Sequence, residues 1–208
     1  MQRWHTLLPM DTTQAETVLE LTPEEEKQLL QVARQALETA VRTGVADETW
    51  VPPIEVSERL MADGASFVTL HIDGALRGCV GSAVAHRPLV LDVAHNAMRA
   101  ALFDPRFEPV QPDELPHIEI EISILTPLKL LEYRDAEDLL AQLRPHVDGV
   151  MIIGGFHRAL LLPQTWELIP EPAEFMAALC RKAGLPPDAY LEGDLDVYTF
   201  QVHTICEE

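Results

Sequence analysis

The chain has 208 residues, a hydrophobic share of 47%, and 34 acidic against 15 basic residues for a formal net charge of −19. That length and apolar content can fill one core or the cores of two small lobes. So strong a negative charge disfavours bare nucleic acid or an anionic membrane as a partner, because phosphate binding needs Lys and Arg; acidity of this kind commonly serves solubility.

The stretch Met1 to Glu20 holds one short apolar run, Leu7-Leu8-Pro9-Met10, too short for a signal-peptide core, and no segment approaches a membrane span. The expected organisation is an N-terminal arm over 1–20 and a folded unit over 21–206. Thr22-Pro23-Glu24-Glu25 then opens a helix, with Thr22 as cap, Pro23 at the first helical position and Glu25 completing a capping box. Leu29, Leu30, Ala33, Ala36, Leu37, Ala40 and Val41 recur at helical spacing, and Gly44 is a natural stop. A proline-rich loop follows through Pro52-Pro53, and Ser57 to Asp63 suits a short helical turn.

Ser66 to Ile72 and Ala75 to Val80 flank Asp73-Gly74, a strong two-residue hairpin signal. Pro88 opens a helix to about Leu102, which ends before Asp104-Pro105 because the residue before proline avoids helical angles. From His117 to Leu125, Ile118, Ile120, Ile122 and Ile124 alternate with His117, Glu119, Glu121 and Ser123, the pattern of a strand with one buried face. Asp135 caps a short helix to Leu143, and Gly154-Gly155 turns a second hairpin. A helix opens at Pro172, carries Cys180 beside an apolar stripe and stops at Gly184; one last strand is expected from about Asp196 to Ile205. Two hairpins favour antiparallel pairing, so the expected class is α+β, a mainly antiparallel sheet flanked by helices.

Leu76-Arg77-Gly78-Cys79-Val80-Gly81-Ser82 concentrates a cation, a thiol and two glycines, an unusual choice for a plain strand. With a simple turn at Asp73-Gly74, Leu70 opposes Arg77 and Val68 opposes Cys79, which puts Arg77 and Cys79 on the face of Val68, Leu70 and Ile72. A bulge at Gly78 would flip Cys79 to the other face. In the functional reading Cys79 is a nucleophile whose pKa Arg77 lowers, with His86 as a weaker candidate base; the structural alternative is a small packed thiol. Gly78 and Gly81, with Arg77 and Ser82, either free backbone N–H groups for an anion or simply allow close packing. Glu119 and Glu121 are an acid–base pair if Arg77 or Arg106 comes close, and otherwise a solvated sheet face. Trp166 suits packing between lobes. No metal-ligand spacing is present, and three cysteines without paired spacing argue against a disulfide framework and fit a reducing cytoplasm.

In order, Phe67-Val68-Thr69-Leu70, Leu76 to Ser82, Arg87-Pro88-Leu89, Asp104-Pro105-Arg106-Phe107, Ile118 to Leu125, Leu162-Pro163-Gln164-Thr165-Trp166-Glu167 and Leu179-Cys180-Arg181-Lys182-Ala183-Gly184-Leu185 make the chain resemble an AMMECR1 domain. Val80 stands where the family usually has Ile, and Phe107-Glu108-Pro109 where it often has Phe-Pro-Pro. The resemblance implies a larger and a smaller lobe and an unsettled biochemical function. It also implies MEMO-type and radical SAM proteins as partners in a shared pathway. The expected function is therefore that of an accessory or interaction partner. Its site would be an inter-lobe groove around Arg77, Cys79, Glu119 and Glu121, open to a small-molecule ligand. The alternative is a cysteine-dependent enzyme in which Gly81 or Ser82 N–H groups hold an oxyanion.

Overall fold

The computed structural model describes residues 21–207; the arm expected over 1–20 lies outside the described residues. The first helix, α1 (Pro23–Thr43), begins as its capping box dictates. The Thr22 hydroxyl accepts from the Glu25 N–H at 3.3 Å, and the Glu25 carboxylate takes the Thr22 N–H at 2.9 Å. Gly44, at φ 71°, ends it in the left-handed region and returns its N–H to the Ala40 carbonyl. Thr22→Ala leaves helix N–H groups unpaired and should cost about 1 kcal/mol of stability, read as a lower urea midpoint; an unchanged midpoint would show that the cap is dispensable.

Two four-stranded antiparallel sheets follow. The first combines β1 (Ala65–Ile72), β2 (Ala75–Gly81), β3 (Ile118–Leu125) and β8 (Val202–Cys206) in the order β2-β1-β3-β8. Its apolar face, with Val68, Leu70 and the alternating isoleucines of β3, is buried beneath α1 and α2 (Leu89–Leu102). The second combines β4 (Lys129–Leu131), β5 (Gly149–Gly154), β6 (His157–Leu161) and β7 (Asp196–Phe200) in the order β4-β7-β5-β6. Val150, Ile152 and Val197 bury one of its faces against α3 (Ala136–Gln142) and α4 (Pro172–Lys182). Met151 and Phe200 point the other way and meet Ala65 and Leu125 of the first lobe. The class is α+β, as expected, and the two lobes join through this small apolar cluster.

Three sequence expectations change. The strand expected from Asp196 to Ile205 is two strands in different sheets. The chain crosses at Gln201, whose N–H donates to the Thr126 hydroxyl at 2.7 Å and whose carbonyl accepts the Thr126 N–H at 2.8 Å. Trp166 does not pack between lobes. It is fully buried in the second lobe's own core, stacked on Phe175 with ring centroids 3.7 Å apart, and its indole N–H donates to the Asp148 carbonyl at 2.6 Å. Inter-lobe polar contact falls instead to Gln164, whose amide donates to the hydroxyls of Ser123 and Thr204 at 3.1 and 3.3 Å. The third change is the register of β2, which governs the site.

Candidate functional site

The Asp73-Gly74 turn forms as expected, with Ile72 opposite Ala75 and His71 opposite Leu76. The ladder then slips: Leu70 faces Gly78, so Arg77 is an extra residue with no partner across the strand pair. This bulge reverses the faces beyond it. Cys79 lies opposite Thr69, not Val68, and leaves the apolar face that the plain register assigned to it. Row by row across the sheet, Cys79, Thr69, Glu121 and Cys206 are now neighbours on the face turned away from α1 and α2. His71 shares that face by alternation.

The bulge has a visible use. Arg77 closes a two-pronged ion pair on Glu114, at 2.7 and 2.9 Å, and its guanidinium lies 5.8 Å from the Phe107 ring centre. Arg106 sits over the same ring at 5.5 Å and grips Asp104 with bonds of 2.9 and 2.6 Å. Asp104 is buried and also accepts the Cys79 backbone N–H at 2.8 Å. Arg106 therefore ties its loop to β2 through Asp104, not to Glu119 or Glu121. Neither Arg77 nor Arg106 pairs with those glutamates; Glu121 instead has the Cys206 sulfur at 4.0 Å, and Glu119 is exposed.

The glycines allow close packing. A Cβ on Gly78 would stand 2.3 Å from the Ala100 carbonyl oxygen of α2, and one on Gly81 would stand 2.2 Å from the Phe67 ring. Ser82 cannot offer its N–H to an oxyanion, because that N–H donates to the Ser66 carbonyl at 2.9 Å. The Ser82 hydroxyl donates to buried Asp92 at 2.7 Å, and Ser66 and Asn96 complete a polar cluster around that carboxyl. His86 lies on the helix side of the sheet, in a cavity lined by Val80 and not by Cys79.

Cys79 is half-buried, and its thiol receives the Thr69 hydroxyl proton at 3.4 Å. Burial pushes the thiol pKa up; the Thr69 bond and the charge of Arg106 oppose that shift, while Asp104 adds to it. A further cation acts on the same sulfur: Lys182, the last residue of α4, comes from the other lobe. Burial lowers the Lys182 ammonium pKa, Cys79 raises it and Arg106 lowers it further, so the three groups share one electrostatic neighbourhood. Sequence reasoning missed Lys182. Its only trace was its place in the Leu179 to Leu185 motif, and periodicity alone marks that run as a core helix.

The arrangement defines an α+β protein of two four-stranded antiparallel sheets, in which the Cys79 thiol of one lobe and Lys182 of the other share an electrostatic neighbourhood. The AMMECR1 family model matches residues 30–205, and the chain belongs to that family. A protein of Methanothermobacter thermautotrophicus is 37% identical over 191 residues, covering 90% of this chain and 97% of its own. One from Thermococcus onnurineus is 40% identical over 188 residues, covering 86% and 89%. The crystal structure of uncharacterized protein PH0010 from Pyrococcus horikoshii superposes with a TM-score of 0.83 at 34% identity, covering 90% of this chain and 94% of that one. Among the described residues no helix is long and apolar enough to cross a membrane.

Proposed function

We propose that this protein is an accessory or interaction partner, working with MEMO-type and radical SAM proteins, and that the Cys79 groove receives a ligand or a partner's side chain without covalent catalysis. The observation that carries this reading is the state of the thiol. Burial holds Cys79 in its protonated form, the opposite of what a resting nucleophile needs. The two nearby guanidiniums are already closed on Asp104 and Glu114, and among the described residues no histidine hydrogen-bonds the sulfur. The partner identities rest on the family resemblance. A cytoplasmic location is part of the reading, supported by three free cysteines.

The competing reading, a cysteine-dependent enzyme, draws support from one observation: Lys182 and Arg106 both favour the thiolate. Peptide-resolved alkylation across pH separates the two. We expect Cys79 to react more slowly at neutral pH than a free thiol, with its midpoint above the ordinary value of about 8.5. The Cys79→Ser protein should still co-purify with the MEMO-type and radical SAM proteins. Faster alkylation than a free thiol at pH 7 would favour the enzyme, and failure of the wild-type protein to associate at micromolar concentration would remove the partner reading.

A further inference from the structure

On the other side of the first sheet, beside the C-terminal half of α2, lies a cavity of about 270 Å³. One wall is made by His86, Arg87, His95 and Arg99, and the rim by the acidic loop residues Asp47 and Glu48. It shares no lining residue with the neighbourhood of Cys79. The hydrogen bonds of Arg87 fix the chemistry of this wall. A guanidinium is a donor only, so both ring nitrogens it touches must be acceptors. Arg87 Nε donates to His86 Nε2 at 2.9 Å, and Arg87 Nη1 donates to His95 Nδ1. His86 therefore carries its proton on Nδ1, which faces the Val84 carbonyl at 3.0 Å. His95 carries its proton on Nε2, and that nitrogen is buried without a partner.

The result is unusual for so acidic a chain. Arg34, Arg77, Arg106 and Arg144 each close on a carboxylate, but Arg87 is held by two neutral imidazoles that leave its charge uncompensated. Among the described residues, neither Arg87 nor Arg99 has a carboxylate within ion-pair distance. Arg99 stands one helical turn beyond His95, so the two side chains share a face of α2. The nearest buried carboxyl, Asp92, is occupied by Ser66, Ser82 and Asn96. On the rim, Asp47 already accepts from the Thr49 N–H and hydroxyl.

We propose that this cavity is a binding site for a small oxyanion, a carboxylate or a phosphate monoester, held by Arg87 and Arg99. Its volume is at the small end of ligand pockets, and the two rim acids select against polyanions such as nucleoside triphosphates. His86 and His95 position Arg87.

The test uses the full chain and two probes, inorganic phosphate and succinate, titrated at constant ionic strength while the histidine ring resonances are followed by NMR. We expect saturable shifts of the His86 and His95 signals with at least one probe. Arg87→Met should weaken that binding roughly tenfold to a hundredfold, the loss of a charge-assisted contact. Arg99→Gln, a change at an exposed position that leaves the fold intact, should also weaken it. Saturation by phosphate alone or by succinate alone supports the site and identifies which oxyanion it prefers. Shifts that chloride reproduces, no saturation with either probe, or wild-type affinity in Arg99→Gln would overturn the proposal. Because the cavity and the Cys79 groove lie on opposite faces of the sheet, failure here leaves the groove reading standing.

Discussion

Gly78→Ala is expected to cost about 3 kcal/mol or more, because the added methyl meets backbone and not a side chain that could rotate away. Its nearest neighbour would be the Ala100 carbonyl oxygen at 2.3 Å, with the carbonyl carbon at 3.2 Å. Relief requires α2 to lift from β2, and α2 also covers β1 and packs on α1. For a chain of this size the loss should appear as a fall in melting temperature of roughly 6–12 °C. Gly81→Ala offers a contrast, since the atoms nearest its methyl belong to the Phe67 ring, a side chain. Its cost should be smaller and partly relieved by Phe67→Leu in the same chain. A Gly78→Ala protein melting within a degree or two of the parent would mean that β2 and α2 are not locked together.

Removing the Asp104 carboxylate should have a similar effect by a different route. Asp104→Ala deprives the Cys79 N–H, the Arg106 N–H and the Arg106 guanidinium of their shared acceptor. The Cys79 N–H is left without its acceptor while the half-exposed Arg106 guanidinium can turn to water, so the cost should be about 2 kcal/mol. Hydrogen bonding to Arg106 leads the causes that hold the Asp104 carboxyl well below the usual carboxylate range. With the folded pKa below the unfolded one, this stabilisation is complete above the ordinary Asp value of about 4 and is lost as the pH falls through the folded value. The wild-type stability advantage over Asp104→Ala should therefore shrink only in strong acid; an advantage that vanishes already at pH 5 would contradict it. Asp104→Asn adds a chemical readout. Asp104 raises the Cys79 pKa and Arg106 lowers it, so neutralising Asp104 should speed alkylation of Cys79 at a given pH.

Much of the fold was legible because its signals are local. The Thr22 capping box, the Asp73-Gly74 turn and the alternation from Ile118 to Ile124 each produce the element they announce. The bulge that turns Cys79 away stood in the sequence only as an alternative to the plain register, placed at Gly78, and nothing local chose between the two. It is stabilised by an ion pair to Glu114 and by the fit of Gly78 against α2, both distant in sequence. One unpaired residue was enough to turn Cys79 to the other face of the sheet. The break at Gln201 lacks any glycine or proline, so an alternating run hid a change of sheet. Lys182 reaches the site only because two lobes meet, and no local pattern encodes that.

The crossing at Gln201 also has a consequence for biosynthesis. Everything that builds the second sheet lies between Lys129 and Phe200, inside the span that separates β3 from its neighbour β8. As the ribosome releases the chain from its N-terminus, the second lobe is complete while β3 still presents an open edge. Only β8 closes that edge, and Glu207 then clasps Arg34 of α1. The first lobe to start is therefore the later of the two to finish, and the nascent chain must shield an exposed strand until β8 has emerged.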